Sequence, residues 1–153
     1  MLSLKPHNLI HRSMLLRYLS DCPCFPTALL PSRRVRWEAI DAHSARCHLH
    51  DHGLHVSGVF SFNEHGEIVG FSARDTPRLG QQQHGAAAHA ATWMRQYGAY
   101  QPMRGMMVPT RLESSWKVDG EAPRAYARME LTDIACFDNV EAGSVLASAA
   151  HAR

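Results

Sequence analysis

The sequence has no long apolar run and no recognisable secretory signal peptide. No stretch approaches the roughly 18 consecutive apolar residues of a membrane-spanning helix. A charged start followed by an apolar stretch, as in a secretory signal peptide, is also missing. Only four cysteines occur, at positions 22, 24, 47 and 136, too few and too unevenly spaced for a disulfide framework. We therefore expect reduced thiols and a cytoplasmic location by default, with a membrane-associated complex left open.

The motifs of nucleotide use and of serine hydrolysis are missing as well. Neither G-x-G-x-x-G nor G-x-x-x-x-G-K-[ST] occurs, and there is no G-x-S-x-G elbow. Net charge is only +2, from sixteen Lys and Arg against fourteen Asp and Glu, so bulk electrostatics predict neither a nucleic-acid partner nor a membrane-surface partner. We assign no catalytic residues and no cofactor, and we favour a protein that is not an enzyme.

What is present is the composition of one ordinary globular domain. The 153 residues fit the usual size of a single domain, and 45% hydrophobic with 20% charged residues is near the average for soluble proteins. We expect a single domain over residues 1–137. The last residues, 138–153, are small and weakly patterned, which favours a flexible tail.

The first predicted element is a helix over residues 6–20. Ile10, Met14 and Tyr18 recur at helical spacing, with two leucines beside them. Three prolines between residues 23 and 31 then exclude a long regular helix and favour a packed connection with at most a short turn. The pattern predicts one amphipathic helix.

From residue 33 onward the hydrophobic period changes to two, which is typical of strands with one buried face. Short turn signals such as Asp51-His52-Gly53 separate the strand-like segments and favour antiparallel hairpins. Residues 75–102 break the rhythm, and their Ala-rich part predicts a short helix near 86–96. Six segments alternate: 34–40, 44–50, 54–62, 67–74, 103–118 and 125–137.

These elements predict a β-dominated α+β fold. The N-terminal helix packs on a curved antiparallel sheet of about six strands, forming an open or half barrel. One helix, about 10–12 Å wide, covers only part of a sheet whose strands lie about 4.8 Å apart. Something else must therefore cover the rest of the apolar face.

A histidine cluster is the first candidate site. On an extended strand His48 and His50 project from the same face about 7 Å apart, with His55 on the facing strand. Imidazole nitrogens at this spacing suit a metal ion, so a hydrolase or metal enzyme using this face is one hypothesis. The alternative, which we favour, is a polar outer face that is rich in histidine, with no metal.

Aromatic residues on several strands are the second and more informative candidate. Such residues are usually core, and they also line grooves for apolar ligands. We predict a non-enzymatic binding module for an apolar molecule such as a lipid or acyl chain. The alternative is a structural domain that pairs with a partner chain or a second copy through its sheet edge or apolar face. The predicted ligand-binding residues are Trp37, Phe60, Phe71, Trp93 and Trp116, with Arg17 as the charged residue at the rim.

The chain also resembles a known group of sequences. The motifs RYL…FPTALL, VRW, FNEHGEIV and GMMVPT are similar to the C-terminal part of a mostly bacterial family of uncharacterised proteins, over about residues 13–135. The family's activity is unassigned, and the resemblance implies a longer chain with a further N-terminal half. Cys24 stands where the family pattern has Trp. The matching positions are Arg17, Tyr18, Leu19, Phe25, Pro26, Leu29, Trp37, Gly66, Gly105, Pro109, Thr110 and Trp116, with Trp93 and Tyr100 matching the aromatics before the proline strand.

Overall fold

A helix, two short turns and seven strands follow one another along the chain. The computed structural model describes residues 6–74 and 91–135. Helix α1 spans Pro6–Asp21, as predicted, and two 3-10 turns follow it, Cys22–Cys24 and Pro26–Leu29. The strands are β1 (Val35–Asp41), β2 (Ser44–Asp51), β3 (Leu54–Phe62), β4 (Ile68–Arg74), β5 (Ala91–Met103), β6 (Met106–Val118) and β7 (Arg124–Glu130).

The strands form one antiparallel sheet in sequence order, from β1 at one edge to β7 at the other. Each strand pairs with the next, and the sheet does not close into a barrel. Positive φ angles at Gly53, Gly66, Gly105 and Gly120 allow the chain to reverse in turns between strands. The predicted β-dominated α+β fold is confirmed, with seven strands rather than about six.

The additional strand is β5, and it corrects the helix predicted near residues 86–96. Residues 91–96 are extended, and residues 92–96 pair with both β4 and β6. Trp93, Arg95 and Tyr97 alternate toward the core, so the segment satisfies the sheet despite the helix propensity of the alanines before it. The remainder of that prediction, residues 86–90, lies outside the described residues, as does the expected tail over 138–153.

The inner face of the sheet is covered by α1 and the two turns. Leu16 and Leu19 of α1 are buried against it, with Cys22 and Leu29 from the turns. This corrects the expected amphipathic pattern, because the stripe of Ile10, Met14 and Tyr18 points to solvent instead. No helix in the described residues is long and apolar enough to span a membrane.

Candidate functional site

An aromatic row crosses the inner face of the sheet from β1 to β6. The ring centroids of Trp37 and Phe60 are 5.4 Å apart, those of Phe60 and Phe71 4.9 Å, and those of Phe71 and Trp93 5.9 Å. Trp93 and Trp116 continue the row at 6.4 Å. These separations and the tilted ring planes are the geometry that aromatic pairs prefer. The five predicted aromatic residues therefore lie on one face and in one continuous row.

Strand register explains why the rings meet. Phe60 is opposite Phe71 in the β3–β4 ladder, and Trp93 is opposite Trp116 in the β5–β6 ladder. Directly opposed residues on one face have close Cβ atoms, so large side chains at those positions touch. Gly58 leaves room for the Phe71 ring, since a Cβ atom there would lie 2.2 Å from Phe71 Cε2.

The row is closed at its centre and more open at its two ends. Phe60, Phe71 and Trp93 are at most 4% exposed, whereas Trp37 and Trp116 are only partly buried. The Trp37 end is held by the connection after α1, because the indole Nε1 donates a hydrogen bond to the Leu29 carbonyl at 2.9 Å. The middle of the row is therefore core, and only its two ends reach solvent.

The Trp116 end carries a feature that alternation does not predict. A bulge in β7 shifts the β6–β7 register between Ser114 and Ser115, so Tyr126 has no opposite residue. Its ring bends toward the inner face, where the hydroxyl accepts a hydrogen bond from Trp93 Nε1 at 2.8 Å. Tyr126 is half exposed and lies at the partly open Trp116 end of the row.

A fully buried arginine lies next to the row. Arg95 is on β5, and its guanidinium carbon is 5.6 Å from the centroid of the Trp93 ring, within the range of a cation–π contact. Its Nε donates to Ser114 Oγ at 3.1 Å, and its Nη1 donates to Ser20 Oγ at 3.1 Å and to the Asp21 carboxylate. Arg95 Nη2 is buried and has no hydrogen-bond partner. Arg95 thus connects β5, β6 and the C-terminal end of α1.

A second buried polar contact from β5 supports the same end of the helix. The Tyr97 hydroxyl donates to the Ser20 carbonyl at 2.6 Å. Burial raises the pKa of Tyr97 well above its usual value, so the phenol stays protonated and remains a donor at every physiological pH. Arg95 and Tyr97 together fix the end of α1 over the sheet.

The arginine predicted from the sequence is not the one beside the aromatic row. Arg17 is exposed on α1, and its carbonyl accepts a hydrogen bond from Ser20 Oγ at 2.7 Å. Arg95, by contrast, contacts the row directly. The sequence pattern that indicates this role of Arg95 is the period of two in residues 93–97, in which the arginine occupies an inner position between Trp93 and Tyr97.

The three predicted histidines come together on the outer face at the β2–β3 hairpin. His50 is opposite His55, and their ring centroids are 4.4 Å apart in a stacked arrangement. His48 stacks on His55 at 5.3 Å, with His48 Nδ1 3.1 Å from His55 Nε2. His48 Nε2 lies 3.2 Å from Glu38 Oε2. The cluster is therefore a stack joined to a carboxylate.

The surroundings of the three histidines bear on metal binding and on the protonation of His55. Among the residues that the structure describes, no three His, Cys, Asp or Glu side chains form a group that would hold a metal ion. Partial burial, and then the neighbouring His50 and His48, lower the pKa of His55, because each of these disfavours a charged ring. The central imidazole of the stack is therefore harder to protonate than a free histidine side chain.

A groove of about 570 Å³ lies over β5, β6 and β7. Gly98 leaves it open, and Arg111, Glu113, Arg128 and Glu130 are among its lining residues. Arg128 Nε donates to Glu113 Oε2 at 2.6 Å across the β6–β7 ladder. Both side chains reach solvent, so this contact is a cross-strand ion pair of the exposed kind.

Comparisons with known proteins give a family but no relative of known activity. Neither a curated protein nor a solved structure matches the sequence. A family model, described as a family of unknown function (DUF6920), matches residues 2–136, which is most of the chain and includes all described strands. The chain therefore belongs to this family of unknown function.

Proposed function

We propose that the protein is a non-enzymatic binding module that takes an apolar molecule, such as a fatty acid, at the Trp116 end of its aromatic row. The observation that carries this proposal is the difference in cover along the row. The centre lies under α1 and its rings are buried, whereas Trp116 and Tyr126 at the β6–β7 end are partly exposed. Aromatic surface of this kind is where an acyl chain removes apolar area from water.

Neighbouring side chains extend the apolar surface at this end. Ala127 and Met129 of β7 are also partly buried and follow Tyr126 along the strand. The Trp93 indole is fixed by its hydrogen bond to Tyr126, so the surface is already formed without a ligand. A preformed apolar surface loses little conformational entropy on binding.

The tryptophans make the proposal directly measurable. All of the protein's tryptophans belong to the aromatic row, so intrinsic tryptophan fluorescence reports on this row alone. They are Trp37, Trp93 and Trp116. We expect a bromine-substituted stearic acid, a contact quencher, to quench the fluorescence in a saturable way. Native mass spectrometry of the same sample should show one bound fatty acid.

A matched pair of variants locates the ligand. Trp116→Phe should remove most of the quenching that is added by the brominated acid, while Trp37→Phe, at the other end, should leave it. Absence of saturable quenching in the wild-type protein, with no bound acid by mass spectrometry, would refute the proposal. Equal loss of quenching in both variants would place the ligand elsewhere.

A second candidate function is pairing through a sheet edge. In the described part of the chain, β1 and β7 each pair with one neighbouring strand only. Ile40 on β1 is about half exposed, so this edge offers both unpaired backbone groups and an apolar side chain. Light scattering after size exclusion tests it: a dimer that Ile40→Lys converts to a monomer supports pairing, and a wild-type monomer at all concentrations excludes self-pairing.

A further inference from the structure

The outward face of α1 carries an apolar stripe that the fold leaves in solvent. Ile10, Met14 and Tyr18 lie four residues apart, and their exposed fractions run from 44% to 63%. The opposite face of the same helix is already buried through Leu16 and Leu19. A helix that needs only one apolar face for its own fold has a second one here, and this requires an explanation.

Exposed arginines lie near the C-terminal end of the stripe. Arg17 is exposed on the same helix, and Arg33 and Arg34 are exposed just before β1. Arg34 is close enough to Tyr18 for its charge to lower the pKa of the phenol, although burial dominates and the net shift is upward. Arg34, which precedes β1, therefore lies near the C-terminal end of the stripe, and Asp51 also acts on the pKa of Tyr18.

Another arginine lies on the side of α1 away from the stripe, because Arg12 is two residues from both Ile10 and Met14. Arg12 of α1 and Arg36 of β1 both act on the pKa of His55, which places the helix beside the β2–β3 hairpin. That hairpin contributes His50 and His52 to a shallow surface groove shared with the arginines before β1. Asp51 pairs with Arg34 and balances its charge, so the exposed Arg17 and Arg33 supply the positive charge near Tyr18.

We propose that the stripe of Ile10, Met14 and Tyr18, with the arginines near its C-terminal end, docks the protein on an anionic phospholipid surface. Large side chains of about 200 Å² each, half exposed, offer about 300 Å² in all, well below the roughly 800 Å² per partner of a stable protein interface. A lipid surface needs less, because a few apolar side chains insert while arginines contact the headgroups. Charge complementarity thus selects the anionic membrane, and the proposal does not depend on the fatty-acid site.

Vesicle co-sedimentation with the full chain tests the proposal. Vesicles of phosphatidylcholine and phosphatidylserine in equal amounts should bind the protein, and vesicles of phosphatidylcholine alone should bind it about tenfold more weakly. Raising the salt from about 0.1 M to about 1 M, which shortens the screening length from about 10 Å to about 3 Å, should release it.

Matched substitutions assign the binding to this surface. Met14→Glu should lower vesicle binding about tenfold, since it places a carboxylate in the stripe. Met107→Glu is the control: Met107 is 51% exposed, comparable to Met14, but lies on β6. Arg17→Glu should act as Met14→Glu does, while Lys117→Glu, the same charge change at the far end of β6, should not.

Three results would overturn the proposal. One is the absence of binding to the serine-lipid vesicles, and another is an equal effect of Met14→Glu and Met107→Glu. The third is a wild-type dimer in solution that Met14→Glu dissociates, because the stripe would then be the contact with a second copy of the chain. Circular dichroism of each variant confirms that the fold is kept, and an exposed position makes this the expected result.

Discussion

The ion pair between the buried Arg95 and Asp21 is the contact whose loss we expect to lower the free energy of unfolding most strongly for so small a chemical change. Asp21→Asn keeps the shape of the side chain and removes its charge. Arg95 would then hold a buried positive charge with two serine hydroxyls and no carboxylate. Removing one partner of a fully buried pair costs about 3–5 kcal/mol.

The structure places the expected cost at the lower end of that range. The Arg95 side chain is completely buried, but the Asp21 side chain is 39% exposed, so water already weakens the attraction. We expect about 3 kcal/mol, a large share of the roughly 5–15 kcal/mol that stabilises a typical domain. For a chain of this length that corresponds to a fall in Tm of about 10 °C.

Urea unfolding followed by tryptophan fluorescence measures the change, because all three tryptophans lie in the row beside Arg95. Glu113→Gln is the matched control: it removes the carboxylate of another Arg–carboxylate pair, one that reaches solvent. Its cost should stay below about 1 kcal/mol. In the Arg95→Met background, Asp21→Asn should cost almost nothing, since no buried charge is left unpaired. A cost of Asp21→Asn equal to that of Glu113→Gln, or additivity in the double variant, would refute the reasoning.

Three further predictions concern close packing, thiols and pH. Gly58→Ala should lower the free energy of unfolding by about 1–3 kcal/mol, because its Cβ would collide with an aromatic ring, whereas Gly98→Ala meets no atom within 4 Å and should be tolerated; equal effects in urea unfolding would contradict this. Burial raises the pKa of Cys22 and of Cys47 to about 12, so peptide mapping after iodoacetamide should find both unmodified in folded protein and modified in urea. The pKa of His55 is lowered in the folded protein, so as the pH falls through about 6.5, the usual pKa of histidine, the unfolded chain takes up a proton before the folded one. The free energy of unfolding therefore decreases on acidification, and His55→Gln should reduce that decrease between about pH 7 and 5. A histidine NMR titration that places the pKa of His55 in the folded protein above about 6.5 would contradict the last prediction.

Clean alternation made most of the sheet predictable from the sequence. In β3, Val56 and Phe60 fall on one face with polar residues on the other, and the structure buries that face. Where a polar residue occupies an inner position, the signal fails. Arg95 sits between Trp93 and Tyr97 in β5, so the strand looks irregular until its serine and carboxylate partners from α1 and β6 are known.

The orientation of α1 could not be predicted from the sequence for a different reason. The helix has two apolar stripes, and periodicity alone does not say which one meets the sheet. Leu16 and Leu19 are buried, while Met14, at equally good helical spacing, points to solvent. The bulge at Tyr126 is a similar case, because one extra residue in β7 redirects a side chain that strict alternation assigns to the outer face.

Helix α1 connects the two proposals physically without making either depend on the other. Its inner side holds the aromatic row closed, and the contacts that keep it there gather at its C-terminal end, through Ser20 and Asp21. Its outer stripe has no part in those contacts and is formed by side chains that the fold leaves exposed. Asp21→Asn should therefore loosen the cover over the row while leaving the outer stripe intact, whereas Met14→Glu should change the outer stripe and leave the cover in place. A substitution on one side of the helix that altered both fatty-acid quenching and vesicle binding would show that the two surfaces act as one.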